Sequence, residues 1–140
     1  SDYILLFPFC SEHLQQKKWP YYDQLIKLIK QNHPNLKIVI APGPDEIEKA
    51  KKLDAVSILK EDKAISISEL AGLIKRSKFV VANDTGPAHM AAHLNVKGLS
   101  LFGSHTTAYK VSIERENFKA IQVSDLKNLS AQKVFERLAL

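Results

Sequence analysis

The sequence predicts a Rossmann-like α/β domain, a doubly wound parallel sheet of about six strands with helices on both faces. Two observations predict it. Short apolar, β-branched runs alternate with stretches of helical periodicity from one end of the 140 residues to the other. Those runs are also nearly continuous in their apolar character, as strands buried on both faces must be. The strand candidates are residues 3–7, 36–41, 55–59, 79–82, 98–102 and 119–123.

The intervening segments carry helix signals. Residues 22–31 place Leu25, Ile26, Leu28 and Ile29 on one helical stripe. Residues 46–53 follow Gly43-Pro44, and proline suits the first turn of a helix. Ser66-Ile67-Ser68-Glu69 reads as a capping box ahead of Leu70, Leu73 and Ile74. Residues 87–95 form a further helix with Met90, Ala91 and Leu94 as its buried face, and residues 130–138 close the chain. No internal repeat, linker or low-complexity segment interrupts the pattern, so residues 1–140 are expected to form a single domain.

Composition narrows the function classes. The chain is 45% hydrophobic and 25% charged, as ordinary soluble proteins are. Its single cysteine, Cys10, excludes an internal disulfide framework and fits a reducing compartment. No apolar run approaches the roughly 20 residues that span a bilayer, and SDYILLFPFC lacks the basic region of a signal peptide. The formal charge of +5 favours anionic partners. The lysines are dispersed in small clusters without aromatic interleaving, however, which reads as solvated helix faces and not as a nucleic-acid platform.

In doubly wound sheets ligands bind beyond the carboxyl ends of the strands, where the strand order reverses. For the order 3-2-1-4-5-6 the loops after the first and fourth strands, residues 8–19 and 83–86, flank that crevice. The second of these carries Asp84-Thr85-Gly86. Asp-Thr-Gly is also the reactive tripeptide of aspartic proteases, but those need two carboxylates sharing a proton in an all-β setting. Here the motif follows a buried strand and runs into Pro87 and a helix.

That context suits an anion. Gly86 permits close approach to the backbone, and Pro87 fits the first helical position, leaving the N–H groups of Ala88 and His89 to face outward at the positive helix end. Thr85 adds a hydroxyl, and Asp84 can accept hydrogen bonds from sugar hydroxyls. The same residues also read as plain helix caps. His89 and His93 share a helix face at four-residue spacing, but the glutamate of a His-Glu-x-x-His zinc site is missing. His89, nearer the helix start, is the functional candidate, and no metal is expected.

The run Ala82-Asn83-Asp84-Thr85-Gly86-Pro87-Ala88-His89-Met90-Ala91-Ala92 resembles the signature of the heptosyltransferases, glycosyltransferase family nine. Further matches follow in order. Lys17-Lys18-Trp19-Pro20 resembles the family's Lys-x-Trp-Pro segment, and Gly43-Pro44-Asp45-Glu46 its Gly-x-Pro-x-Glu turn. Residues 66–71 resemble its Ser-Leu-x-Glu-Leu-Ala helix start, and Leu101-Phe102-Gly103 its strand-end Leu-Phe-Gly.

The resemblance implies the C-terminal, donor-binding half of a two-domain GT-B enzyme, with the N-terminal acceptor domain and its general base absent from this chain. It implies inverting, metal-independent transfer from ADP-heptose, with no cofactor, to a lipid-linked saccharide of the lipopolysaccharide inner core. The expected setting is cytoplasmic, at the inner face of the bacterial inner membrane. Carried over position by position, Lys17, Ser11, Thr85, Gly86 and His89 would hold the donor diphosphate and Asp84 the sugar. Glu46 would take the ribose hydroxyls and Ile65 would pack on the base. Two departures stand out. Pro8-Phe9-Cys10-Ser11 replaces the family's Pro-Gly-Ala-Ser-like loop, and SHTTAYKV after Gly103 lacks the prolines common there, leaving the sugar open. A non-catalytic nucleotide-binding module and a sugar-nucleotide epimerase are the alternative readings.

Overall fold

β1 (Tyr3–Phe7), β2 (Lys37–Ile40), β3 (Val56–Ser57), β4 (Phe79–Asn83), β5 (Gly98–Phe102) and β6 (Phe118–Gln122) form a single sheet. Their order is β3-β2-β1-β4-β5-β6, and every neighbouring pair is parallel. This is the expected Rossmann-like arrangement, with the switch point between β1 and β4. The computed structural model describes residues 2–9, 18–83, 85–103, 113–138 and 140. The helices described are α1 (Tyr22–Asn32), α2 (Ile47–Ala50), α3 (Ile67–Arg76), α4 (Gly86–His93) and α5 (Ala131–Glu136).

Apolar residues alternate between two cores along each central strand. Ile4 and Leu6 of β1 and Phe79 and Val81 of β4 face α1 and α5, which contribute Leu25, Ile26, Ile29 and Val134. Leu5, Val80, Ala82 and Phe102 face the other way, toward Ile74 of α3 and Ala88, Ala91 and Ala92 of α4. Both faces are thus covered, which is why the strands read as unbroken apolar runs.

Of the elements shorter than their sequence patterns suggest, α2 and β3 lose the largest share. α2 gives way after Ala50 to i→i−3 bonds, from Lys52 N–H to the Lys49 carbonyl at 3.2 Å and from Leu53 N–H to the Ala50 carbonyl at 3.1 Å. β3 lies at the sheet edge and pairs through Val56 and Ser57 alone. Beyond it Lys60 and Lys63 bond each other across a tight turn, with Glu61 and Asp62 both at positive φ.

Two expectations of detail concern α3 and α4; one is met and one corrected. The capping box at Ser66 forms as read, with Ser66 Oγ accepting from the Glu69 N–H at 3.1 Å and the Glu69 carboxylate from the Ser66 N–H at 3.0 Å. Leu94, expected in the core, is 39% exposed. α4 stops at His93 and Asn95 turns the chain away in a left-handed conformation, φ 52°. Ala88, Ala91 and Ala92 line the sheet in its place, their small side chains letting the helix approach β4 closely.

Gly98 sits where β5 passes between its neighbours. A Cβ there would lie 2.7 Å from both the Phe118 ring and the Val80 carbonyl oxygen. Gly98→Ala is therefore expected to destabilise the protein by about 1–3 kcal/mol, read as a lower denaturation midpoint at unchanged slope. Glu69 generates a pH dependence. The Ser66 N–H, and beyond it Lys60, holds its carboxyl below the usual carboxylate range. A depressed folded value gives stability that is present above the ordinary carboxylate pKa and is lost as pH falls through the folded one. Glu69→Gln should flatten the acid limb of a melting-temperature profile.

Candidate functional site

The carboxyl ends of β1, β2 and β4 open onto a cleft of about 340 Å³. One wall is the end of β1, from Phe7 to Phe9, and another is the turn after β2, with Pro42, Gly43 and Glu46. The approach to α3 supplies Ile65 and Leu70, and the start of α4 supplies Thr85 and Pro87. Three residues assigned from the sequence, Glu46, Ile65 and Thr85, therefore meet in one cavity at the switch point. Gly86 and His89 follow Thr85 at the head of α4. Lys17, Ser11 and Asp84 lie outside the described residues.

Glu46 is held by its own turn. Its N–H donates to the Gly43 carbonyl at 3.0 Å, and its Oε1 accepts from the Gly43 N–H at 2.8 Å. A Cβ on Gly43 would stand 3.3 Å from that oxygen, so glycine lets the carboxylate close the turn. One carboxylate oxygen is thus engaged and the residue remains half-buried at the cleft wall. Ile65 is half-buried too, packed on the core beneath α4 with Leu70.

The head of α4 differs from the expectation in its donors. The helix begins at Gly86, one residue earlier than the proline suggests. The Ala88 and His89 N–H groups both turn inward to the Thr85 carbonyl, at 3.1 and 3.3 Å. The Gly86 N–H is the first-turn donor left without a partner among the described residues. Thr85 occupies the N-cap position but its side chain makes no cap bond; its hydroxyl donates to the Asn83 carbonyl at 3.3 Å. The plain capping role is therefore not the one Thr85 performs. His89 is half-buried and His93 exposed. Among the described residues no three His, Cys, Asp or Glu side chains are grouped as a metal ion requires.

Asn83 was not singled out in the sequence. It is fully buried at the end of β4. Its Nδ2 donates to the Pro8 carbonyl at 3.1 Å, and its Oδ1 accepts from the Tyr22 hydroxyl at 3.1 Å. A polar residue closing an apolar strand was the available signal, but its partners lie 75 and 61 residues away. Trp19, fully buried, donates its indole N–H to the Leu129 carbonyl at 2.7 Å and so ties the segment before α1 to the C-terminal part of the chain. Beyond Pro8 and Phe9 a second groove, of about 480 Å³, is lined by Lys18, Lys49 and Lys52, two basic clusters far apart in sequence. Their field favours anions near the cleft.

A family model for glycosyltransferase family 9 (heptosyltransferase) matches residues 1–138. The chain belongs to glycosyltransferase family 9. Lipopolysaccharide heptosyltransferase 1 of Campylobacter coli is 29% identical over 114 residues, which are 75% of this family 9 chain and 33% of the relative. Among solved structures, the E. coli heptosyltransferase WaaC with ADP superimposes with a TM-score of 0.82 at 24% identity, over 97% of this chain and 43% of that one. E. coli ADP-heptose lps heptosyltransferase II gives 0.74 at 19% identity, over 96% and 44%. These likenesses show a shared fold. The chain spans about a third of the curated relative's length and about two fifths of the solved structures'.

Gly86 of this family 9 chain is exposed, and a Cβ placed on it would meet nothing within 4 Å among the described residues. Its φ is not positive. The fold alone does not require glycine there. Gly86→Ala should leave the protein as stable or raise it by about 0.4–1 kcal/mol, measured by thermal unfolding.

Proposed function

We propose that the chain is the donor-binding, C-terminal part of an inverting, metal-independent glycosyltransferase that transfers heptose from ADP-heptose to the lipopolysaccharide inner core. The observation that carries this reading is the convergence of Glu46, Ile65 and Thr85 on one cleft, beside a Gly86 N–H that has no partner among the described residues. The family membership and the ADP named with the E. coli WaaC structure support it.

In this reading adenine lies against Ile65 and the ribose hydroxyls donate to the Glu46 oxygen that its turn leaves open. The diphosphate sits at the head of α4. There the Gly86 N–H donates to a phosphate oxygen and the Thr85 side chain lies against the same phosphate, with His89 one turn along and the helix dipole behind them. Ser11 and Lys17 complete the phosphate site, and Asp84 holds hydroxyls of the sugar. An acceptor hydroxyl attacks the anomeric carbon on the face opposite the phosphate. The C–O bond to phosphate breaks, and the nucleoside diphosphate leaves with the electron pair. Lys17 offsets the charge that grows on it. The base that removes the acceptor's proton belongs to a further domain, which also holds the lipid-linked acceptor at the cytoplasmic face of the inner membrane. No helix among the described residues is long and apolar enough to cross a membrane.

Calorimetry with ADP, UDP and GDP tests the site. ADP should bind, and failure of all three to bind would remove the donor-site reading. Lys17→Ala should weaken ADP by about tenfold, the scale of a charge-assisted hydrogen bond, and leave adenosine little changed. Gly86→Ala, harmless to stability, should also lose ADP affinity. An equal loss for adenosine in either variant would contradict the phosphate assignment.

A further inference from the structure

The two walls of the cleft come from strands whose ladder stops short of it. β1 and β4 pair in register to Phe7 and Ala82, and the next residue, Pro8, has no N–H with which to continue. From there the contact between the walls passes to side chains. Asn83 Nδ2 takes the Pro8 carbonyl at 3.1 Å. The Tyr22 hydroxyl, 3.5 Å from the Phe7 carbonyl, donates to Asn83 Oδ1 at 3.1 Å. The Asn83 backbone carbonyl accepts the Thr85 hydroxyl at 3.3 Å. Phe7, Pro8 and Thr85 all line the cleft.

Burying an amide at a strand end is costly unless its hydrogen bonds are made, and packing alone would be met by an apolar side chain. These bonds instead run to both lips of the cleft, and Tyr22 anchors them to α1. We infer that Tyr22 and Asn83 are positioning residues for the diphosphate, fixing the Thr85–Gly86 lip at a set distance from the Pro8 lip. This rests on the donor-site reading and adds to it two residues that do not touch the donor.

The test is calorimetry on the full chain, well below its melting temperature, with ADP and adenosine as separate probes. Tyr22→Phe removes one hydroxyl and keeps the ring. It should weaken ADP by about five- to tenfold, with adenosine changed by less than about twofold and the fold intact by thermal melt. Asn83→Ala should show the same split, and the double variant should lose less than the sum of the two. Should Asn83→Ala fail to fold, the Tyr22→Phe comparison decides alone. The inference is overturned if Tyr22→Phe binds both ligands as the parent does, or loses both in equal measure. It is also overturned if the two changes add independently. A parent chain that binds no ADP defeats the donor-site reading itself, and this inference with it. A parent that binds ADP normally while Tyr22→Phe is silent defeats this inference alone.

Discussion

Everything at the candidate site depends on β1 having parallel neighbours on both sides. β2 and β4 flank it, and the chain leaves β1 toward one face of the sheet and enters β4 from the other. The carboxyl ends of the strands therefore part, and the crevice between them is a consequence of topology before any particular side chain is considered. Beyond the last pair of the β1–β4 ladder, the Pro8 carbonyl has no backbone partner among the described residues. A buried carbonyl must be satisfied, and Asn83, itself held by the Tyr22 hydroxyl, is the side chain that does so. The polar bracket that satisfies the backbone thus also fixes the shape of the crevice.

Helix packing serves the same edge. α4 contacts the sheet through Ala88, Ala91 and Ala92, so its axis lies close over β4 and its N-terminus opens directly at the cleft. Larger residues on that face would lift the helix and carry Thr85 and Gly86 away from the wall formed by Phe7, Pro8 and Phe9. On the opposite face the C-terminal part of the chain returns to α1. The Leu129 carbonyl receives the Trp19 indole and the Lys127 carbonyl receives the Tyr21 hydroxyl at 2.6 Å. The segment entering α1 is held at two points by that stretch, and Tyr22 follows it directly.

How much of this the sequence disclosed depends on how far each cause reaches along the chain. The central strands were legible because burial on both faces leaves an unbroken apolar run, and β1 and β5 match their patterns residue for residue. β3 was overestimated because its run, 55–59, meets an edge where two residues pair before the chain turns at Lys60. The capping box was legible because all its partners lie within three residues. The donors at the head of α4 were misassigned because the helix start was counted from Pro87. A start at Gly86 brings the Thr85 carbonyl within reach of Ala88 and His89. Glu46, Ile65 and Thr85 come from three separate loops, and only the family resemblance pointed to their meeting. Asn83 was missed because its role is defined by partners that only the fold brings near.

Two glycines show how the chain separates what the fold needs from what a ligand needs. Gly98 is fixed by its neighbours, since the Phe118 ring and the Val80 carbonyl fill the space a Cβ would take. Gly86 faces open space with an ordinary φ, so nothing among the described residues accounts for the missing side chain. A helix start is a place where glycine costs conformational entropy on folding and alanine would cost less. The Gly86 N–H, without a partner among the described residues, lies open at the same point. Glu46 carries the same logic at the opposite wall: one oxygen closes its own turn, and the other is left to whatever enters the cleft. In the proposed function, a ligand supplies the complementary pair to this donor and this acceptor. A phosphate and a pair of sugar hydroxyls, joined in one molecule, do so.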